Sequence, residues 1–437
     1  MGRLQRIGRL AVVDTTPLRQ VSGYRWLFAG TFAMQVGRQL LVVAVPIQVY
    51  EITGSTLAVG LLGLAQLVPL LLVSLVGGAL ADAVDRHRLL TFSQVVMAFT
   101  GAGLLWNSLS GSAELWPLFV LSAINAGVSA IDSPARHALV PGLVGRALLP
   151  SALALNQTQT NVAKAAIPAL GGLLIATSGF PAAYSLLTVA FAVSAPLVYQ
   201  VPNVAIEGGG RPFSMSSIVD GFRFLKSRRV IQAALLIDLS AMVFGMPTAL
   251  FPAFGTAVLG GDAFTVGLLY AAPGIGALLA ALTSGWVPLV RRQGRAVILA
   301  VIGWGAAIAV FGLSSSLALA LTMLAVAGAA DVVSAIFRGS IVQLSTPDSL
   351  RGRLSSMHMA VVAGGPRLGD FEAGVVAALS SVRFSIVSGG LACVLAALGI
   401  ARWAPSFVHY RYDPDEPDLP PHEIEAETSA RQTRSER

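Results

Sequence analysis

Seven ionisable side chains stand inside long apolar runs of this 437-residue sequence: Arg38, Lys164, Asp238, Asp331, Arg367, Asp370 and Glu372. In a bilayer each costs about 2.5–3.5 kcal/mol at the centre of a helix, so each needs a partner or a task. Three bases stand against four acids. Pairing leaves one acid over, and an acid without a base in low dielectric takes up and releases a proton near neutral pH. Reversible proton binding is therefore the chemistry these residues could do. Arg367 and Asp370, three apart on one helix face, can pair locally. Glu372 lies five residues beyond Arg367 and points elsewhere. Asp238 falls about nine residues into its run, roughly 13 Å along a helix. It precedes Phe244-Gly245-Met246-Pro247, where proline removes a backbone hydrogen bond and permits a bend. Asp238 is the expected proton carrier and Glu372 the second choice, with Asp331 and Asp370 behind them. Asp132 sits nearer the end of its run. The alternative, that all seven are inter-helical pairs holding a bundle together, stays open.

A second group of residues suits a cargo. Arg38 is flanked by Gln35 and Gln39, which gives one helix a polar face at i, i+3 and i+4. A cationic, hydrogen-bonding stripe fits an anionic or catechol-bearing molecule; a buried Arg paired with an acid is the competing reading. Lys164, Arg367 and Phe244 are further cavity candidates. Phe244, Phe251, Phe254 and Tyr270 could stack on a ring, or simply pack between helices. Ala271-Ala272-Pro273-Gly274-Ile275-Gly276 reads as close helix packing and bending.

The elements that must position these residues follow from composition. Only 12% of the chain is Asp, Glu, Lys or Arg, and 55% is hydrophobic. Soluble globular proteins run at about 25% charged, so a soluble protein of this size is excluded. The apolar content excludes a disordered chain, and the single Cys393 excludes a disulfide scaffold. A spanning helix needs about 20 apolar residues. Twelve spans are expected, at 26–50, 57–81, 89–110, 115–134, 151–177, 181–200, 231–258, 264–288, 296–314, 316–338, 354–380 and 384–404. They are too long for barrel strands, and only helices satisfy their own backbone in lipid. The fold class is an all-α membrane protein.

The net charge of +7 alone would suggest nucleic acid, but the 27 Arg and two Lys recur in clumps between the apolar runs. One side collects Arg3, Arg6, Arg9, Arg19, Arg25, Arg86, Arg88, Arg136 and Arg146, then Arg211, Arg223, Lys226, Arg228 and Arg229. It continues with Arg291, Arg292, Arg295, Arg338, Arg351, Arg353 and Arg402, while the other side has Arg383 alone. Both termini are therefore expected in the cytoplasm. No cleavable signal is read at the N-terminus, because the first apolar run is too long and no small-residue cleavage site ends it. The expected parts are a cytoplasmic segment 1–25, six-helix halves 26–200 and 231–405 joined by a linker 201–230, and a disordered acidic tail 406–437.

The halves carry weak internal similarity. Val59-Gly60-Leu61-Leu62 recurs as Val266-Gly267-Leu268-Leu269, with Gly78 falling on Gly285 at the same offset, and Ser129-Ala130-Ile131 recurs as Ser334-Ala335-Ile336. Parallel six-helix repeats relate the halves of major facilitator transporters. The loop Gly78-Ala79-Leu80-Ala81-Asp82-Ala83-Val84-Asp85-Arg86-His87-Arg88 resembles the G-x-L-A-D-R-x-G-R-R signature of that superfamily. The resemblance implies a cytoplasmic gate at Gly78, Asp82 and Arg86, although Ala83 replaces the usual Arg and Asp85 stands where Gly is common. Ile131-Asp132-Ser133-Pro134-Ala135-Arg136, Leu153-Ala154-Leu155-Asn156-Gln157, Arg351-Gly352-Arg353 and Gly364-Gly365-Pro366-Arg367-Leu368-Gly369-Asp370-Phe371-Glu372-Ala373-Gly374 resemble the exporter branch that contains the enterobactin exporters. This implies a proton-driven exporter of a small organic molecule in a bacterial cytoplasmic membrane, working by alternating access on a siderophore or, alternatively, on drugs.

No cofactor is expected. Lys164 and Lys226 follow Ala163 and Leu225, so no Gly-Lys-Ser/Thr phosphate loop exists. His87, His137, His358, His409 and His422 are scattered, so no metal site is expected. The expected partners are the cargo, protons and lipid, with no nucleic acid, and the chain is expected to be a monomer. A membrane enzyme or scaffold is disfavoured because the intramembrane charges are spread over five helices instead of surrounding one reacting centre.

Overall fold

The structure is a computed structural model that describes residues 14–83, 86–202, 225, 228–346 and 348–412, with backbone only at 75–83, 86, 348–357, 359 and 360. These residues are almost wholly helical. After a short turn α1 (Thr16–Gln20) come α2 (Ser22–Thr53), α3 (Thr56–Ala83), α4 (Arg86–Leu109) and α5 (Leu115–Tyr199). They are followed by α6 (Arg229–Phe244), α7 (Ala263–Leu282), α8 (Gln293–Leu313), α9 (Leu317–Leu344), α10 (Asp348–Leu379) and α11 (Val382–Trp403). Among the described residues nine helices are long and apolar enough to cross a membrane.

One of the nine, α5, has 85 residues. Straight, it would run about 130 Å at 1.5 Å per residue, several times the roughly 30 Å hydrocarbon core. Two glycines break it: Gly145 at φ 68°, ψ 173° and Gly179 at φ 77°, ψ 178°. Only glycine enters that region of backbone space without strain. The pieces 115–144 and 146–178 contain the expected fourth and fifth runs, and 180–199 covers all but the last residue of the sixth.

The chain forms two compact units, Met1–Phe213 with Phe251–Leu278, and Ser214–Leu250 with Leu279–Arg437. Helices in lipid gain little from apolar burial, so close backbone approach and buried polar contacts must hold them. In the first unit Gly172 and Gly267 meet so closely that a Cβ on Gly172 would lie 2.8 Å from the Cα of Gly267. A Cβ on Gly274 would lie 2.6 Å from the carbonyl of Lys164. These glycine contacts seat Phe251–Leu278 in the first unit, although the segment follows the expected linker.

The second unit repeats the device. A Cβ on Gly369 of α10 would meet the Met242 carbonyl of α6 at 2.5 Å, and one on Gly305 of α8 would meet the Gly390 carbonyl of α11 at 2.6 Å. Just beyond α6 the chain bends at Gly245-Met246-Pro247 and re-forms as a 3-10 turn, Thr248–Leu250. Trp304 Nε1 donates to the freed Gly245 carbonyl at 2.7 Å. Asp370 Oδ1 accepts from Thr248 Oγ1 at 2.5 Å and from the Ala249 amide at 2.8 Å. The backbone groups that the proline bend releases thus find partners within the unit, as a low-dielectric setting requires.

Candidate functional site

Asp238 of α6 has no exposed surface, and Arg338 of α9 is 2% exposed. Arg338 Nη2 lies 2.7 Å from Asp238 Oδ1. Arg338 Nη1 donates to Ser334 Oγ, one turn earlier on α9, at 2.9 Å. His358 Nδ1 of α10 lies 3.9 Å from Asp238 Oδ2. The Asp238–Arg338 contact is an ion pair without a directed hydrogen bond: both carboxylate oxygens are buried with no donor aimed at them. Arg338 Nε and His358 Nδ1 are likewise buried without a hydrogen-bond partner.

The first unit contains a related cluster with the opposite degree of satisfaction. Arg136 of α5 donates from Nε and Nη2 to the two oxygens of Asp132, each at 3.1 Å, and from Nη1 to Thr31 Oγ1 of α2 at 3.0 Å. Gln94 Nε2 of α4 adds a third donor to Asp132 at 2.7 Å. Each unit therefore has an arginine that engages the residue four before it and a residue of another helix. In the first unit the acid is the local partner and the hydroxyl the distant one; in the second the acid is distant and the hydroxyl local. Thr31 and Asp238 are 207 residues apart, the offset at which Val59-Gly60-Leu61-Leu62 recurs.

This exchange of acid and hydroxyl has a chemical consequence. A carboxylate holding a two-pronged guanidinium and an amide has its lone pairs occupied by directed hydrogen bonds. One that is desolvated, attracted by a single cation and left with free lone pairs can carry a proton. Asp132 has the fuller set of donors, and Asp238 is buried beside one cation with no donor aimed at its oxygens.

Arg136 and Arg338 were expected as loop cations, yet they are 5% and 2% exposed. The charge imbalance read from sequence changes accordingly, since Asp238 has a basic partner after all. Guanidiniums bury here because each finds an anion and a hydroxyl within reach. The spacings Asp132–Arg136 and Ser334–Arg338 carried that signal. His358, expected to stand alone, faces Asp238; nothing in its local sequence announces this contact, which joins positions 120 apart.

The other expected site residues are distributed as follows. Arg38 and Gln39 are half-buried on α2, and Arg38 is within the electrostatic reach of Asp132. Gln35 is buried and donates to Thr160 Oγ1 at 3.3 Å. Lys164 is exposed, and Asp331 and Phe244 are half-buried. Arg367 Nη1 donates to the Ala363 carbonyl at 2.6 Å. Asp370 holds the bend described above. Glu372 is half-buried and makes no hydrogen bond or ion pair among the described residues. Phe251 and Phe254 pack inside the first unit, with Tyr270 edge-on to Phe251 at 5.0 Å. The side chains of Gly78, Asp82 and Arg86 lie outside the described residues; the first two are near the end of α3 and the third opens α4. Among the described residues no group of three or more His, Cys, Asp or Glu could hold a metal ion.

The chain is 28% identical to the enterobactin exporter EntS of Citrobacter koseri over 425 residues, which span 96% of this chain and 100% of the relative. It is 27% identical to the enterobactin exporter EntS of Escherichia coli strain K12 over 407 residues, 92% of this chain and 97% of the relative. In fold it is similar to the nucleoside transporter NupG, with a TM-score of 0.70, 13% identity and coverage of 87% of this chain and 99% of NupG. It is also similar to a D-xylose-proton symporter, with a TM-score of 0.66, 15% identity and coverage of 88% and 98%. Residues 13–431 match the family model for transmembrane secretion effectors, and the chain belongs to that family of multi-pass major facilitator transporters.

Proposed function

We propose that this chain is a proton-coupled exporter of a small organic molecule, of the enterobactin siderophore type, in the bacterial cytoplasmic membrane. It crosses the membrane twelve times in two six-helix halves with both termini in the cytoplasm, and works by alternating access. The observation that carries the reading is Asp238: fully buried, opposite one cation, with both oxygens lacking a donor. When Asp238 is ionised it holds α6 to α9 through Arg338. When it is protonated that attraction is lost, and the two helices can part. A proton thus biases one conformation, which is what coupling requires. The relatives named as enterobactin exporters support the cargo class, and Arg38 with Gln39 supports an anionic, hydrogen-bonding molecule.

The test uses purified protein in proteoliposomes. Wild-type protein should move enterobactin against its gradient when a pH difference is imposed, and Asp238→Asn should abolish the accumulation. Undiminished accumulation by Asp238→Asn with loss in Glu372→Gln would transfer the role to Glu372. Movement of unrelated drug cations in place of enterobactin would change the cargo to that of a multidrug pump.

A further inference from the structure

Asp238 has no exposed surface, so a proton needs a carrier to reach it. We propose that His358 is that carrier, relaying protons between water and the Asp238 carboxylate. The inference rests on the coupling reading above and adds the route to it. The His358 side chain is 28% exposed while that of Asp238 is 0% exposed, so the pair links a reachable group to an unreachable one. The facing atoms, His358 Nδ1 and Asp238 Oδ2, are 3.9 Å apart, and neither has another hydrogen-bond partner. A side-chain movement of about 1 Å brings them to the 2.6–3.2 Å of proton transfer. Imidazole suits the task because one ring nitrogen can accept a proton while the other gives one up.

The neighbouring charges are otherwise engaged. Arg338 of α9 is held by Asp238 and Ser334. On α10 itself, Arg367 donates to the Ala363 carbonyl and Asp370 accepts from Thr248 and Ala249. Cys393, on the adjoining α11, faces the Val301 carbonyl at 3.9 Å. Among the described residues no other ion pair reaches Asp238 or His358.

The step balances as follows. A hydronium ion gives its proton to Nε2 of neutral His358, which carries its own proton on Nδ1. The Nδ1–H bond then breaks as an O–H bond forms on Asp238 Oδ2. The imidazolium becomes the neutral Nε2–H tautomer and the carboxylate becomes a neutral acid; loss of the Nε2 proton to water and uptake of a proton from water at Nδ1 then restore the starting tautomer. Arg338 loses its counter-charge and keeps Ser334. The reverse sequence discharges the site.

The experiment follows the Asp238 carboxyl stretch by time-resolved infrared spectroscopy after a pH jump, on full-length protein in lipid, with Asp238→Asn identifying the band. In wild type the band should rise quickly; in His358→Ala it should rise slower by on the order of a hundredfold, the scale of a positioned acid–base group. Free imidazole should restore much of the rate in His358→Ala, which a purely structural role for the ring does not predict. An unchanged rate in His358→Ala, or a slow rate that imidazole leaves slow, overturns the relay while leaving Asp238 as a proton site. A wild-type band that never titrates overturns both the relay and the coupling reading.

Discussion

Arg338 approaches Asp238 to 2.7 Å yet spends its directed hydrogen bond on Ser334. The acid is thereby neutralised but not saturated. Removing one member of a buried pair exposes the other to low dielectric, at about 3–5 kcal/mol. Arg338→Met should lower stability by that order in detergent-based unfolding, and Arg338→Met with Asp238→Asn should recover most of the loss. A double variant as unstable as the two losses added together would show that the residues do not act on one another.

In the first unit the geometry of the fork matters more than its charge. Arg136→Lys keeps the cation but cannot reach both Asp132 oxygens and Thr31 at once. A loss of about 1–2 kcal/mol is expected from the missing hydrogen bonds. Thermal unfolding that leaves Arg136→Lys equal to wild type would contradict it.

Glycine substitutions should separate by location. A methyl group at Gly369 collides with the Met242 carbonyl, so Gly369→Ala should cost about 1–3 kcal/mol. Gly303, also within a helix, has nothing within 4 Å of its position for a Cβ. There Gly303→Ala should be neutral or stabilise by up to about 1 kcal/mol. Unfolding curves of the two variants in the same detergent decide the matter.

The bend after α6 should depend on Asp370. Asp370→Ala removes the acceptor of both Thr248 Oγ1 and the Ala249 amide. A cost of about 0.5–2 kcal/mol, the scale of a lost helix cap, is expected. Amide hydrogen exchange at Thr248–Leu250 should rise in this variant, and unchanged protection would mean that the bend is held from elsewhere.

One expected pH effect lies outside the spans. Hydrogen bonds from the Thr16 hydroxyl, the Thr16 amide and the Ser151 hydroxyl hold the Asp14 carboxyl below the usual carboxylate range. A depressed folded value means that the tether contributes above the unfolded pKa of about 3.9. It is lost as pH falls through the lower folded value. A spin label at Leu18 should therefore gain mobility only in strong acid in wild type, and closer to neutrality in Ser151→Ala. Identical profiles would remove Ser151 from the tether.

Much of the architecture was legible because lipid leaves a chain few options. Apolar runs of about 20 residues had to be helices, and Gly145 and Gly179 fall between runs read as separate. The buried clusters were only half legible. Asp132–Arg136 and Ser334–Arg338 show their i,i+4 spacing, but the partners that give them meaning, Thr31, Gln94, Asp238 and His358, come from other helices. Sequence spacing says nothing about such contacts. Arg338 was misplaced for the same reason: an arginine near a helix end has the pattern of a topology signal whether it faces water or a buried acid. The spacing of three between Arg367 and Asp370 is legible as a local pair, but Asp370 also caps the bend after α6. Its bonds to Thr248 and Ala249 depend on how α10 crosses the bend.

The most direct test of proton coupling at Asp238 is a measurement of cargo-evoked proton flux. Proteoliposomes containing the protein and a trapped pH-sensitive dye are given an enterobactin gradient with no imposed pH difference. Wild type should move protons in the direction opposite to enterobactin, and Asp238→Asn should move none while still exchanging labelled for unlabelled enterobactin. Proton flux in Asp238→Asn equal to wild type would contradict the assignment of Asp238 as the coupling residue.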